Sequence, residues 1–362
     1  MVGGGEYSFL DLLRRLPAPW KPIAIVPHHG ELGQSLEESG IQTYTIALNP
    51  IRPWFITNIL GSLRSYYNLC RRRRPKLIYA NGSRAAFYGG ILGRILGIPM
   101  IWHCRIADRD MYLDFILRRL SSRIVVNSRA TAKRFMEPPQ PKVRVVYNGV
   151  NISWFSDKSV SRPELIGDSW KVILVVARVS RWKRHDLAMA AFEQAEATDT
   201  NLHLVCVGSR DVLQPTWWKY LQERSQQSKV SDRIHWVDQT ADIRPWYNAS
   251  QQLLLCSENE PFGRVIVEAM ACGLPVVAAR SGGIPEIVRH NQDGILVTPG
   301  KVDEFASAVS EISNNDSLRE RLSRSAKKRA DDFNLELHVT RMIDAFEDTI
   351  RNWNSRFHIS FK

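Results

Sequence analysis

The chain has 362 residues, 44% of them hydrophobic and 24% charged, ordinary values for a globular protein that exclude a disordered tail, a collagen-like chain and a disulfide mini-scaffold. At this length two domains are expected. The net charge of +12 is lopsided: residues 1–160 hold 23 Lys+Arg against 10 Asp+Glu, while residues 161–362 hold 26 against 27, so the first half is the one suited to an anionic partner such as nucleic acid, a membrane surface or a phosphorylated substrate.

The opening residues, MVGGGEYSF, lack a basic head and a long apolar run, so no signal peptide is expected. Gly3-Gly4-Gly5 precede any strand, whereas in a doubly wound sheet the glycine-rich loop follows the first, central strand. The first strand of the N-terminal domain is therefore expected to be missing, with the true start upstream of Met1. Periodicity then predicts a helix over 7–16, strands over 22–27 and 43–48, and a helix over 56–72 that ends in the basic run Arg71–Arg74. A strand at 76–80 follows. The most apolar stretch, 88–102, is broken by Arg94, glycines and a proline, and is too short to cross a bilayer. A strand at 100–104 carries His103 near its carboxyl end. Asp108-Arg109-Asp110 has the form of a metal-holding DxD, but two carboxylates alone are a poor metal signature; the segment reads as the entry to a helix predicted over 114–120, and no catalytic metal is expected. Strands at 123–127 and 143–147 complete the half, and Asn148-Gly149 reads as a turn opening a linker over 149–167.

The second half repeats the alternation. Strands are predicted at 171–177, 202–207, 233–237, 252–256, 275–279 and 294–297, and helices at 186–195, 217–228, 263–271, 302–330 and 337–353. Continuous apolar strands alternating with helices imply parallel sheets covered on both faces. The fold class is α/β, with two doubly wound domains, 1–160 and 161–338, whose sheets are expected to face each other across a cleft. Ligands in such sheets sit beyond the carboxyl ends of the strands.

The most informative stretch is 257–286, SENEPFGRVIVEAMACGLPVVAARSGGIPE. It reads as strand end, loop, helix, strand, glycine-rich loop and second helix start. Pro261 is expected in the first helical turn, with Gly263 at the bend. The free N–H groups of a helix start suit a diphosphate. Glu260 stands before the helix and Glu268 over a turn into it, up to about 10–12 Å apart along the axis at about 1.5 Å per residue. That is the scale of a nucleotide diphospho-sugar, with one carboxylate for sugar hydroxyls and one for the ribose. A second constellation, Arg178 and Lys183, follows the strand at 171–177. Two cations there could neutralise a diphosphate leaving group, although a basic loop exposed to solvent would look the same.

These residues resemble the retaining glycosyltransferases of family 4, the group 1 glycosyltransferases with the GT-B fold. The resemblance rests on Glu260-x7-Glu268 with Pro261-Phe262-Gly263, then Gly273-x-Pro275 and Gly282-Gly283-x-Pro285-Glu286, together with Arg178 and Lys183. It covers about 171–300. Gly4-Gly5, His103 and Tyr147-Asn148-Gly149-Val150 are weaker similarities in the first half. Two family glycines are replaced, by Ala177 and Arg184, and a side chain at 184 could narrow the donor pocket.

The resemblance implies a metal-independent, retaining hexosyltransferase in which the second domain holds the nucleotide-sugar donor and the first holds the acceptor. Glu260 would position the donor sugar, Glu268 the ribose, and Arg178 and Lys183 the departing diphosphate. Backbone N–H groups of Phe262, Gly263 and Arg264 would bind sugar or phosphate, with His103 near the donor sugar and Gly4 and Gly5 in the loop that closes on the diphosphate. No resident cofactor or metal is implied, and a C-terminal helix, 339–362, would return to the first domain. The acceptor is expected to be a glycan or a lipid-linked glycan of cell-envelope or surface polysaccharide synthesis, lipopolysaccharide included. The place would be the cytoplasm, peripheral at the inner face of the plasma membrane, with Arg14, Arg15, Arg64, Arg71–Arg74, Arg118 and Arg119 on an anionic leaflet.

Other readings are weaker. A GT-B epimerase or phosphorylase needs a different carboxylate and His set or a cofactor lysine. A nucleic-acid-binding protein would show a zinc-finger or RNA-binding motif, and none is found. The five cysteines have no CxxC spacing and read as small buried hydrophobes. Trp217, Trp218 and Tyr220 read as helix packing, and the resemblance places the family's nucleobase pocket at Asp238–Asp242, after a strand end, without selecting a base.

Overall fold

A computed structural model describes residues 3–135, 141–195 and 199–358. The chain divides into two compact units, Met1–Gly149 with Leu335–Lys362, and Val150–Asn334. The junctions thus lie ahead of 160 and 338. The reason is local: Cys272 Sγ reaches the Phe155 carbonyl, and Lys158 Nζ donates to the Cys272 carbonyl at 2.9 Å, which tie 152–158 into the second unit.

The first unit runs α1 (Gly4–Arg14), β1 (Ile23–Val26), α2 (Glu31–Glu38), β2 (Gln42–Thr45), α3 (Ile56–Arg73), β3 (Ile78–Asn81), α4 (Ser83–Leu96), β4 (Met100–Cys104), α5 (Met111–Leu120), β5 (Arg123–Val126), α6 (Arg129–Ala132) and β6 (Val143–Val145). All its strand pairs are parallel, but they form two separate sheets, β1-β2 and β3-β4-β5-β6. In doubly wound order 3-2-1-4-5, the position between β1 and β3 belongs to the first strand. None occupies it among the described residues. Ile78 N and Gly82 N donate toward β4. By alternation, the amides of Tyr79 and Asn81 point to the open edge. Helix α1 packs on both parts: Leu10 and Leu13 sit with Ala24 and Val26, and Leu12 with Ile101 and Val125.

β4 shows how the unit is layered. Met100, Trp102 and Cys104 face the layer containing α4 and α5, whereas Ile101 packs with α1 and the last helix, as the two-residue strand period requires. Helix α4, absent from the predicted elements, lies in the apolar, glycine-rich stretch. Added Cβ atoms would come within 2.9 Å of Ile78 at Gly89, 2.7 Å of Leu120 at Gly90 and 2.6 Å of the Ile98 carbonyl at Gly93. These glycines let α4 lie close to β3, to α5 and to the loop before β4 instead of breaking the helix.

The second unit runs α7 (Ile152–Ser156), β7 (Lys171–Val176), α8 (His185–Ala195), β8 (Leu202–Val207), α9 (Pro215–Gln227), β9 (Ile234–Val237), α10 (Arg244–Asn248), β10 (Gln252–Leu255), α11 (Arg264–Ala271), β11 (Val276–Ala279), α12 (Ile284–Ile287), β12 (Gly294–Val297), α13 (Val302–Asn314) and α14 (Asp316–Ala330). Its six parallel strands lie in the order β12-β11-β10-β7-β8-β9. The strand order reverses between β7 and β10, and their carboxyl ends carry both predicted motifs. The helix expected over 302–330 is two helices, because the Asn315 side chain accepts from Leu318 N at 2.9 Å and caps a new start. The chain ends in α15 (Leu335–His358), whose Val339, Met342 and Phe346 pack on Ile101 and Val125 in the first unit. Residues 359–362 of the expected returning helix lie outside the described residues. All five cysteines are buried and unpaired.

Gly93→Ala, which drives a Cβ into the Ile98 carbonyl, is expected to destabilise the protein by about 1–3 kcal/mol. Gly61→Ala, in open space inside α3, is expected to stabilise it by about 0.5–1 kcal/mol. Denaturant titration of the two variants checks both signs. Equal shifts would mean that the close approach along α4 is not the reason for its glycines.

Candidate active site

In the second unit, β7 ends at Val176 and the chain enters a loop with Arg178 exposed and a 3-10 turn, Arg181–Lys183. Lys183 Nζ lies 2.6 Å from Glu260 Oε2, and both side chains are largely buried. The lysine also sits 4.0 Å over the Trp182 ring. Arg184 takes a left-handed φ of 55°, and Asp186 and Glu258 hold its guanidinium.

Glu260 is fixed through its backbone. Gly283 N donates to the Glu260 carbonyl at 2.7 Å. Gly282, at φ 55°, lies so close that any Cβ would overlap that carbonyl, and a Cβ on Gly283 would come within 2.5 Å of the Pro261 carbonyl. The glycine-rich loop is therefore a buttress for the Glu260 loop. Gly263, at φ 95°, forms the N-cap of α11. Pro261 stands two residues ahead of that cap, not in the first helical turn, because the left-handed bend at Gly263 delays the helix.

Glu268 is buried one turn into α11. Its Oε1 accepts from Arg264 Nε at 2.8 Å and its Oε2 from Tyr247 Oη at 3.1 Å. Burial, and then the charge of Glu268, push the Tyr247 phenol well above its ordinary pKa, so it stays a donor. Tyr247 could not be found from sequence, since it comes from α10 at no fixed spacing. Trp218 packs at 5.1 Å against Trp236 with Arg210 4.7 Å above it, while Trp217 stacks on Tyr220. A shallow pocket beyond β8 and β9 is lined by Gly208, Arg210, Trp218, Trp236 and Asp238.

In the first unit, His103 is buried at the carboxyl end of β4, with its Nδ1 2.6 Å from Tyr79 Oη. Burial raises the phenol pKa, with Arg105 opposing, so Tyr79 keeps its proton and donates. Burial, then the charges of Arg105 and His338, hold His103 well below 6.5 and neutral. Nδ1 therefore accepts, and Nε2 carries the hydrogen. That N–H is buried with no hydrogen-bond partner among the described residues. Arg105 is anchored at 2.6 Å on Asn81 Oδ1 and at 2.6 Å on Asn148 Oδ1. Asn148, expected as a simple turn residue, is thus a buried acceptor. Gly4 and Gly5 lie in the first turn of α1 instead of a loop after a strand. Asn81 Nδ2 donates to the Gly5 carbonyl at 3.4 Å, and a Cβ on Gly5 would come within 3.2 Å of Arg105. Asp110 caps α5 by accepting from Leu113 N at 3.0 Å.

The model of the glycosyl transferases group 1 matches residues 157–329, and that of glycosyltransferase family 4 matches residues 2–154. An uncharacterized glycosyltransferase of Methanocaldococcus jannaschii is 31% identical over 52% of this chain and 50% of its own length. A D-inositol 3-phosphate glycosyltransferase of Thermobispora bispora is 27% identical over 68% of this chain and 59% of its own. The chain spans about half to three-fifths of the length of the curated relatives it matches. Among solved structures, Anabaena HepE in complex with UDP and glucose shares the fold, with a TM-score of 0.84 and 23% identity over 95% of this chain and 96% of that one. A Rickettsia africae glycosyltransferase does so with a TM-score of 0.84 and 19% identity over 97% of each. These likenesses establish the GT-B fold.

Tyr79→Phe is expected to release the tautomer of His103, seen by nitrogen NMR of the imidazole as protonation shared between Nδ1 and Nε2. An unchanged spectrum would mean that the phenol does not set it. Acid sensitivity follows from the depressed histidines. His185 and His203 are pushed down to about 4, by burial and then by Lys183 and His235 respectively, against 6.5 when unfolded. From pH 6.5 down to about 4 the unfolded chain binds protons that the folded chain refuses. Stability is therefore full above 6.5 and falls as pH drops through that window, with a slope approaching about 1.4 kcal/mol per pH unit for a fully buried His. Melting temperatures across the window check the sign, and His185→Gln should flatten the slope.

Proposed function

The chain belongs to the group 1 glycosyltransferases of family 4, and from that premise we propose that it moves a hexose-type sugar from a nucleotide-diphosphate sugar to a glycan or lipid-linked acceptor, with retention at the anomeric carbon. The second unit would hold the donor and the first unit the acceptor. The observation that carries this reading is the pair of buried carboxylates at the carboxyl edge of the second sheet, each already held by a cation: Glu260 by Lys183 and Glu268 by Arg264. Solvated surface glutamates would not be built this way, because burying a carboxylate is costly unless it is paired.

Glu260 positions the sugar hydroxyls and Glu268 those of the ribose. Lys183, Arg178 and the N–H groups of Phe262, Gly263 and Arg264 neutralise the diphosphate as its charge develops. The glycosidic C–O bond to phosphate breaks while the acceptor oxygen bonds to the same face of the carbon. The acceptor proton passes to the departing phosphate oxygen, leaving glycoside and nucleoside diphosphate. That step asks for no carboxylate nucleophile, resident metal or cofactor. The Nε2–H of His103 donates to a substrate oxygen, and the first turn of α1, with Gly4 and Gly5, presents backbone amides to phosphate. A role in cell-envelope or surface polysaccharide synthesis, in the cytoplasm, suits a basic acceptor unit. Among the described residues no helix is long and apolar enough to cross a membrane.

A panel of nucleotide sugars, read by release of nucleoside diphosphate, tests the proposal. One donor should turn over, and Glu268→Ala and Lys183→Ala should each lower the rate by about 10²-fold or more while circular dichroism stays native. Wild-type turnover in both variants would refute the roles, and no turnover of any donor would remove the reading.

A further inference from the structure

Helix α5 buries only one side. Asp114 and Leu117 face inward, with Asp114 accepting from Arg134 Nε at 2.8 Å. On the other side Met111 is 69%, Tyr112 85% and Phe115 58% exposed, with Ile116 beside them. Positions 111, 112, 115 and 116 lie on one helical face. Arg119 continues that face and places its guanidinium 3.8 Å over the Phe115 ring. Arg94 donates to the Arg119 carbonyl, bringing exposed Ile95 alongside. Arg109 is exposed just before the helix.

The patch is not an isolated accident. Among the described residues, twelve of the seventeen exposed large hydrophobics lie in the first unit, which also carries 26 Lys+Arg against 13 Asp+Glu. Exposed Trp54, Ile56 and Leu60 stand at the start of α3, in the helix layer that α4 joins to α5. The cluster Arg71–Arg74 lies at the far end of α3. Arg118 is withdrawn: its Nε and Nη2 are buried, and its guanidinium lies 5.5 Å from the Phe135 ring. The basic residues that accompany an apolar face are thus Arg94, Arg109 and Arg119, a narrower set than charge alone selects.

Apolar and aromatic side chains bordered by arginine are the composition of a helix lying in a membrane interface. Nucleic acid would reward the charge but leave the apolar face unsatisfied. A second copy would bring two units of net charge +13 together, arginine against arginine. We propose that the exposed face of α5 docks on an anionic bilayer, with Met111, Tyr112, Phe115 and Ile116 at the boundary of headgroups and acyl chains and the three arginines on lipid phosphates. This goes beyond the transferase reading and does not depend on it, since binding to lipid needs neither donor nor acceptor.

Flotation of the full chain with vesicles of phosphatidylcholine alone, or mixed with phosphatidylglycerol, tests it. The wild type should float with the mixed vesicles and be released by salt. The double variant Tyr112→Ser/Phe115→Ser should bind about ten-fold less or weaker still. Arg109→Gln/Arg119→Gln should lose the preference for the anionic vesicles, whereas Arg71→Gln/Arg72→Gln should retain it. All these side chains are exposed, so melting temperatures should match the wild type. Failure to float, equal flotation on both vesicles, or wild-type binding by the Tyr112/Phe115 variant would overturn the proposal. So would light scattering that shows this variant turning a wild-type dimer into a monomer. Nucleoside diphosphate release without lipid should be the same in all of them, which keeps a failure here separate from a failure of the transferase reading.

Discussion

The Glu260 carbonyl accepts the Gly283 amide at 2.7 Å, and the second unit's site depends on that approach. Two loops, one following β10 and one following β11, press backbone to backbone. Neither Gly282 nor Gly283 leaves room for a Cβ. The side chain of Glu260 is then aimed by a rigid frame instead of by its own rotamers, and Lys183 meets it at 2.6 Å from a third loop. Three βα loops, from β7, β10 and β11, are thereby locked into one surface at the point where strand order reverses. That is where a doubly wound sheet offers its helix starts and loop amides to a ligand.

The charges at this surface are prepaid in pairs. Removing one partner of a buried ion pair typically costs about 3–5 kcal/mol, because the other is left buried and uncompensated. Lys183 with Glu260, and Arg264 and Tyr247 with Glu268, spare the unliganded protein that cost. The same contacts hold each carboxylate in one orientation. A bound diphosphate could take over Lys183 only if sugar hydroxyls took over Glu260, so the two ends of a donor would be recognised together. The first unit fixes its donors with neutral partners instead. Tyr79 donates to His103 and two amide oxygens hold Arg105, which arranges donors without a buried carboxylate among those contacts.

The first unit also shows what a sheet does when its central position is open. β1-β2 and β3-β4-β5-β6 do not pair with each other, yet α1 joins them by sending Leu10 and Leu13 to one part and Leu12 to the other. Burial on a bridging helix supplies the cohesion that ladder hydrogen bonds would otherwise give. Along α4 the balance is reversed: Gly89, Gly90 and Gly93 give up helix propensity so that the helix can lie closer to β3, α5 and the loop before β4. The helix was illegible for that reason, since glycine in a window reads as a breaker when the neighbour it makes room for is unknown.

The fold class and the parallel strands were legible because each depends on local periodicity along one chain, and the missing first strand because Gly3-Gly4-Gly5 stand ahead of any strand. Glu260, Glu268, Lys183 and the Gly282-Gly283 turn fall within short spans of a strand end, and a strand end is a local event. Tyr247, Asn81, Tyr79 and the buried role of Asn148 were not legible. Each belongs to a contact between segments far apart in sequence, and no period links 79 to 103 or 247 to 268. Net charge marked the first half as basic, but only packing could show that Arg118 turns inward while Tyr112 and Phe115 turn out. What one segment does by itself is written in its own residues; which side chains meet is decided only when distant segments are packed together.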